Sequence, residues 1–273
     1  MEYQLNFHQT FAPETEALAQ LLRVASANNE YHTKEEISSL TMIPTGESSG
    51  KVVPHIYYAT AMNLINFDKK ENKYSLSLTA LGEVIYEEDP FLTEDLSKII
   101  CHYEVANKYA PTILWSYLFN RYIPLSGNIF SQNSLSNAVT REFESAKVNL
   151  SPLRSFYTAE RSFASLNILS IDGEEFTILP HPINRVYRYV YAYLLLKNWE
   201  AQLPKQSEIT FTDLTDALGF GNPFVWNEHT VMEVLELLQD QGVIVVNRQL
   251  SPITIIKQVS ANYCLSKLYD FLI

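Results

Sequence analysis

Cysteine is almost missing from this sequence. Cys101 and Cys264 are its only two, far apart and each inside an apolar stretch. That excludes a disulfide framework and a paired-cysteine zinc motif. Both thiols read as small buried hydrophobes, which suits a reducing cytoplasm. Glycine is scarce, with 8 residues against 12 prolines in 273, and no low-complexity tract marks a disordered chain. No apolar run reaches the roughly 18 residues of a membrane span. The opening MEYQLNFHQT has neither the charged nor the apolar region of a secretory signal. The expected location is the cytoplasm, with no membrane partner.

Basic charge is also short. Lysine and arginine number 20 against 31 acids, a formal net charge of −11, whereas a polyanion-binding domain is usually basic. The deficit is uneven: residues 1–90 hold 6 basic and 13 acidic side chains, and residues 91–184 hold 7 and 9.

Catalytic signatures are missing as well. The six histidines show no HExxH spacing, and Cys101-His102 are adjacent rather than ligand-spaced, so no metal site is expected. Gly219-Phe220-Gly221 lacks the third glycine of a dinucleotide fingerprint, and no GxSxG elbow occurs. Gly46 to Gly50-Lys51-Val52 comes nearest to a phosphate loop. One residue too few separates its glycines, and Val52 stands where a magnesium-binding hydroxyl belongs. The stretch reads as a turn feeding a helix, with Ser48 or Ser49 as the cap. The expectation is a non-enzyme with no catalytic residues and no cofactor.

What is present is a grammar of helices and hairpins. Residues 1–12 alternate apolar positions as a short leading strand would, and Pro13 opens a helix to Asn28. Thr33 with Glu36 is a capping box for a helix to Leu40. A helix over 51–64 follows, then a hairpin over 66–78 with a lysine-bearing tip, then a helix at 79–86. Helix, turn, helix and a two-stranded wing is the winged-helix pattern. It recurs with helices at 131–148 and 151–167 and a hairpin turning at Asp172-Gly173. It recurs again with helices at 212–218 and 227–241 and a hairpin over 243–257. Helices are also predicted at 93–107, 111–122 and 184–202, with a loop from Pro124 to Gly127. The tyrosines of the last are expected to pack between domains. The fold class expected is mainly α with small β-hairpins (α+β), built from tandem winged helix-turn-helix units. Three domains are expected: 1–90, 91–184 and 185–273.

Candidate nucleic-acid-binding residues follow from that grammar. Lys51 and His55 stand one turn apart on the second helix, placed to face phosphate; the competing reading is a solvated helix edge. Lys69, Lys70 and Lys73 sit on the wing, where lysine also serves solubility. Arg154 and Arg161, seven apart with Thr158 between them, share one face of the predicted 151–167 helix. Arginine forks suit phosphates and guanine edges; the alternative there is salt bridging to Glu160 or Glu142.

Several stretches resemble a bacterial family of unknown function whose genes lie in phage-defence islands, near sulfur-transfer genes of the DNA-phosphorothioation type. They are Phe7-His8-Gln9-Thr10-Phe11, Gly50-Lys51 with Ile56-Tyr57-Tyr58, and Leu78-Thr79-Ala80-Leu81-Gly82. Asp89-Pro90-Phe91-Leu92-Thr93-Glu94-Asp95 and Trp115-Ser116-Tyr117-Leu118-Phe119-Asn120 complete the set. The sequence departs from the family around Lys98–Tyr103, where a more apolar, tryptophan-bearing segment is expected. The resemblance implies a DNA-linked defence accessory role and supplies no catalytic residues. Two readings follow: a DNA-binding or regulatory accessory protein holding duplex DNA, or a scaffold that binds defence-system proteins without touching nucleic acid. No oligomeric state is read from the pattern.

Overall fold

The computed structural model describes residues 5–27, 30–46, 50–144, 148–249 and 251–272. The chain divides into two compact units, Met1–Leu179 and Pro180–Ile273.

The first unit opens with turns over residues 5–10 rather than the expected strand; residues 1–4 of that expectation lie outside the described residues. The reason is packing. Phe7 and His8 turn inward, Phe7 onto Tyr58 at 5.0 Å and His8 onto Trp115 at 5.8 Å between ring centroids. Then come α1 (Thr15–Ala27), β1 (His32–Thr33), α2 (Lys34–Thr41) and α3 (Val52–Ala61). The hairpin β2 (Ile65–Lys70) and β3 (Lys73–Leu78) follows, and then α4 (Ala80–Glu88). The capping box is formed, with the Glu36 amide donating to Thr33 Oγ1 and the Thr33 amide to Glu36 Oε2. Thr79 caps α4 by accepting from the Gly82 amide at 2.9 Å. The proposed Ser48 or Ser49 cap lies outside the described residues.

Next are α5 (Asp95–Ala106) and α6 (Ile113–Tyr117), which runs on through a π-helical turn, Leu118–Tyr122, into α7 (Ile123–Ser126). The loop expected from Pro124 is therefore helical to Ser126: the helix reaches Pro124 through the π-helical turn, and proline's fixed φ suits helical backbone. Asp89 holds the start of α5. Its buried carboxylate accepts from the Thr93 amide and hydroxyl, the Glu94 amide and the Ser97 hydroxyl at 2.6–3.0 Å.

After β4 (Ile129–Ser131) and α8 (Gln132–Glu142) comes α9, which covers Ser151–Thr158 only. The expectation of one helix to Asn167 is wrong here. Ala159 turns extended, and the chain doubles back so that Phe163 stacks on Phe156 at 4.6 Å and 16°. A short 3-10 turn, Ala164–Leu166, leads to β5 (Leu169–Asp172) and β6 (Glu175–Ile178). Tyr58, Trp115 and Phe156 meet within about 6 Å, so α3, α6 and α9 share one aromatic core.

The second unit enters through a 3-10 turn, Arg185–Tyr187, into α10 (Arg188–Gln202). Tyr189, Val190, Tyr191, Ala192, Tyr193 and Leu194 are consecutive and all buried, so α10 is the core of this unit. Tyr191 packs on Phe224 and Trp226, and Tyr189 on Phe271, all within the same unit. The unit continues with β7 (Glu208–Thr210), a π-helical turn Asp213–Ala217, a 3-10 turn Asn222–Phe224, and α11 (Glu228–Asp240). It closes with β8 (Ile244–Asn247), β9 (Thr254–Lys257) and α12 (Ala261–Leu265).

Among the described residues three small antiparallel sheets result, ordered β1-β3-β2, β4-β6-β5 and β7-β9-β8. In each, a two- or three-residue strand precedes the helical segment and pairs with the second strand of the hairpin. The fold is α+β, helix-rich with small sheets.

Candidate nucleic-acid interface

Lys51 and His55 lie at the start of α3 but turn into the protein. Lys51 Nζ pairs with Glu14 Oε1 at 2.6 Å and is only partly exposed. His55 is fully buried: its Nε2 accepts from the Glu14 amide at 3.0 Å, and Nδ1 lies 2.7 Å from the Lys51 carbonyl. With one nitrogen accepting, the ring is neutral and Nδ1 donates. Burial lowers its pKa despite the Lys51 carbonyl and the Glu14 charge. Neither ring nitrogen is left for a phosphate.

The wing is different. Lys69, Lys70 and Lys73 are exposed at the end of the β2–β3 hairpin, with Glu71-Asn72 as the turn and Glu71 at φ 53°. The strands extend further into the lysine-bearing stretch than the sequence suggests: Lys70 pairs with Lys73 and Lys69 with Tyr74 across the ladder. Lys70 Nζ sits 4.4 Å over the Tyr31 ring, and Lys69 Nζ 5.4 Å from the Tyr74 centroid. The ammonium groups themselves lie against the ring faces, a cation–π arrangement that holds both lysines in place on the strand. Asp68, on the same strand, accepts from the Tyr31 hydroxyl.

Arg154 is exposed on α9, and Thr158 bonds back to the Arg154 carbonyl at 3.0 Å, so that hydroxyl is engaged in its own helix. Arg161 is exposed in the turn beyond α9, so the two arginines do not share one helix face. Among the described residues neither is in an ion pair; Glu142 pairs with Arg121 instead.

A grouping appears that the linear sequence concealed. The Arg161 carbonyl accepts from the Thr15 amide at 2.9 Å, which docks this turn on the start of α1. Glu14 therefore gathers Lys51, Arg161 and His55 around it. Desolvation alone would raise its pKa. The Lys51 hydrogen bond and charge, followed by the charge of Arg161, outweigh that and hold it below the usual carboxylate range. Glu14 was not singled out from sequence; the only signal was an acid beside Pro13 at a helix start.

A small pocket of about 240 Å³ opens beside this group. Its walls include Thr10, Phe11, Glu14, Ser155, Arg161 and Ser162.

The sequence profile of a family described only as a protein of unknown function, DUF4007, matches residues 6–156. The chain belongs to the DUF4007 family. The match takes in Glu14, Lys51, His55, the wing lysines and Arg154, and stops short of Arg161. No curated protein matches this DUF4007 chain. Among solved structures, it is similar to a magnesium ion-bound crystal structure of SspB, at TM-score 0.75 and 15% identity, covering 97% of this chain and 86% of that one. A second SspB crystal structure matches at TM-score 0.72, with the same identity and coverage. At that identity the likeness establishes the fold. Among the described residues no three His, Cys, Asp or Glu side chains converge to hold a metal ion. The magnesium ion is part of that SspB structure. Nor is any helix long and apolar enough to cross a membrane, among the described residues.

The stretches that carried the resemblance now have physical meanings. Phe7-His8 and Tyr58 build the aromatic core. Asp89 and Thr93 fasten α5. Asn120 donates to the Ala106 and Ser116 carbonyls, tying α5 to α6.

Proposed function

We propose that this chain is a non-catalytic DNA-binding or regulatory accessory protein of a bacterial DNA-modification and phage-defence system of the phosphorothioation type. Its three strand-helix-helix-hairpin modules are read as winged helices, the first presenting its wing to duplex DNA. The observation that carries this reading is the exposed trio Lys69, Lys70 and Lys73 at the end of the β2–β3 hairpin, on an otherwise acidic chain. Likeness to SspB in fold and the defence-island resemblance support the setting. Three phosphate contacts would give a salt slope of about −2.7, on about 0.9 per contact. That fits a weak, salt-sensitive hold, strengthened by Arg154 or by a partner.

A duplex-binding titration at two salt concentrations tests this. The Lys69→Ala/Lys70→Ala/Lys73→Ala variant should bind more weakly, with a slope shallower by about 2 to 3. Absence of wild-type binding at about 10 mM salt, where screening is weakest, would remove the DNA contact.

A specific observation favours the scaffold as the second reading. Met42, Leu125 and Phe91 are 84%, 79% and 69% exposed, apolar side chains of the kind that partner proteins cover. Co-purification with proteins encoded beside it, without DNA binding, would select that reading.

A further inference from the structure

We infer that the pocket beside Glu14 is a binding site for a single phosphoryl group, with Arg161 as its cation and the Ser162 hydroxyl as its buried donor. Ser162 is 3% exposed, and its Oγ, shut off from solvent, has no hydrogen-bond partner in the protein. A buried hydroxyl left unpaired is costly, and because Oγ has no exposed area as it stands, a turn of the Ser162 side chain toward the pocket it lines would let a ligand complete it. The pocket of about 240 Å³ is smaller than the roughly 300–1,000 Å³ of sites for drug-sized ligands. It therefore suits one group and its immediate attachment rather than a whole cofactor.

The charge decides the sign of that group. Glu14 is the acid in the wall, and Lys51 Nζ already holds one of its oxygens at 2.6 Å. Arg161 adds a second cation that is in no ion pair among the described residues. Two cations around one carboxylate leave one positive charge, the complement of one phosphodiester, at a point where an acidic chain of net charge −11 would otherwise repel it. Ser155 and Thr10 line the same pocket with hydroxyls, and Phe11, Ala12, Pro13 and Ala159 supply apolar walls. Those walls suit the sugar carbon beside a phosphate, while arginine supplies forked donors to its oxygens.

The phosphoryl group comes either from a nucleic-acid backbone, in which case the site deepens the DNA-binding proposal and rests on it, or from free phosphate. The test is a chemical-shift titration of the labelled full-length protein with inorganic phosphate and, separately, with a short duplex. Saturable shifts centred on Thr10, Ser155 and Ser162 are expected. Affinity should fall about tenfold in Arg161→Gln and severalfold in Ser162→Ala, as lost charged and neutral hydrogen bonds imply. Glu14→Gln should bind more tightly, since it removes the competing anion; this opposite sign cannot come from a folding defect. Shifts with both probes identify a backbone phosphate, and shifts with phosphate alone identify the free anion and remove DNA from this site. If the duplex binds through the wing while the pocket residues stay silent to both probes, the pocket assignment falls and the DNA reading stands. If affinities are unchanged in Arg161→Gln and Glu14→Gln, the assignment also falls.

Discussion

His8 carries the clearest pH dependence. It is fully buried, and desolvation pulls its pKa from 6.5 to about 4, only partly offset by its hydrogen bond to the Gln9 carbonyl. Above pH 6.5 the ring is neutral in both folded and unfolded chains, and the fold has its full stability. As pH falls from 6.5 toward 4, the unfolded chain takes up a proton that the folded one refuses. Stability then drops by up to about 1.4 kcal/mol per pH unit for each such histidine. His55 is lowered by burial in the same direction, so the two act together. Urea melts at pH 7.5 and 5.0 should show a marked loss at the lower pH, and His8→Gln should flatten it. The thiols behave oppositely: burial pushes Cys264 up to about 12 and Cys101 higher still. Neither should react with a thiol reagent unless the protein is unfolded. The Glu14 group was illegible from sequence because its members come from residues 14, 51, 55 and 161, and only folding brings them together.

Among the elements, capped helix starts were easiest to read. Thr33, Thr79 and Asn227 each accept a backbone amide where the sequence pattern places a helix start, because a cap is a local arrangement of a few residues. The short strands β1 and β4 were invisible: two or three residues carry no periodicity, and each exists only by pairing with a strand some 40 residues away. The over-long 151–167 helix failed for a related reason. Its apolar spacing through Phe163 suits a helix, yet the stacking of Phe163 on Phe156 reverses the chain.

Gly82 marks a close approach of α4 to the start of β2. A Cβ there would lie 1.8 Å from the Leu64 carbonyl oxygen. Gly82→Ala should therefore cost about 3 kcal/mol, near the upper end for overpacking, seen as a lowered melting temperature. Gly173 has φ +59°, but a Cβ at that position would meet nothing within 4 Å, so Gly173→Ala should cost about 1 kcal/mol of backbone strain. Asp89→Ala leaves four donors without their acceptor and should cost about 3 kcal/mol. Chemical denaturation of the three variants ranks them.

At the scale of the whole molecule, the acidic balance and the lysine wing set competing expectations. A chain of net charge −11 repels DNA at long range, so binding through a local basic cluster should associate slowly and accelerate when distant repulsion is screened. At low ionic strength, moderate added salt should therefore raise the association rate even while it lowers affinity. A stopped-flow titration measures both, and a rate that falls monotonically with salt would contradict local capture against an unfavourable field. The α+β class was legible because helical periodicity and hairpin turns repeat along the chain. The common order of the three sheets emerges only once the strands pair.

The π-helical turn at Leu118–Tyr122, between α6 and α7, also sets what this helix can lose. Such a turn is wider than a regular one and takes up its extra residue as a local bulge. Trp115 before it and Ile123 after it both remain buried. Deleting Arg121 would set Pro124 inside a regular helix, where its ring meets the carbonyl four residues before it, so that variant should melt at a lower temperature.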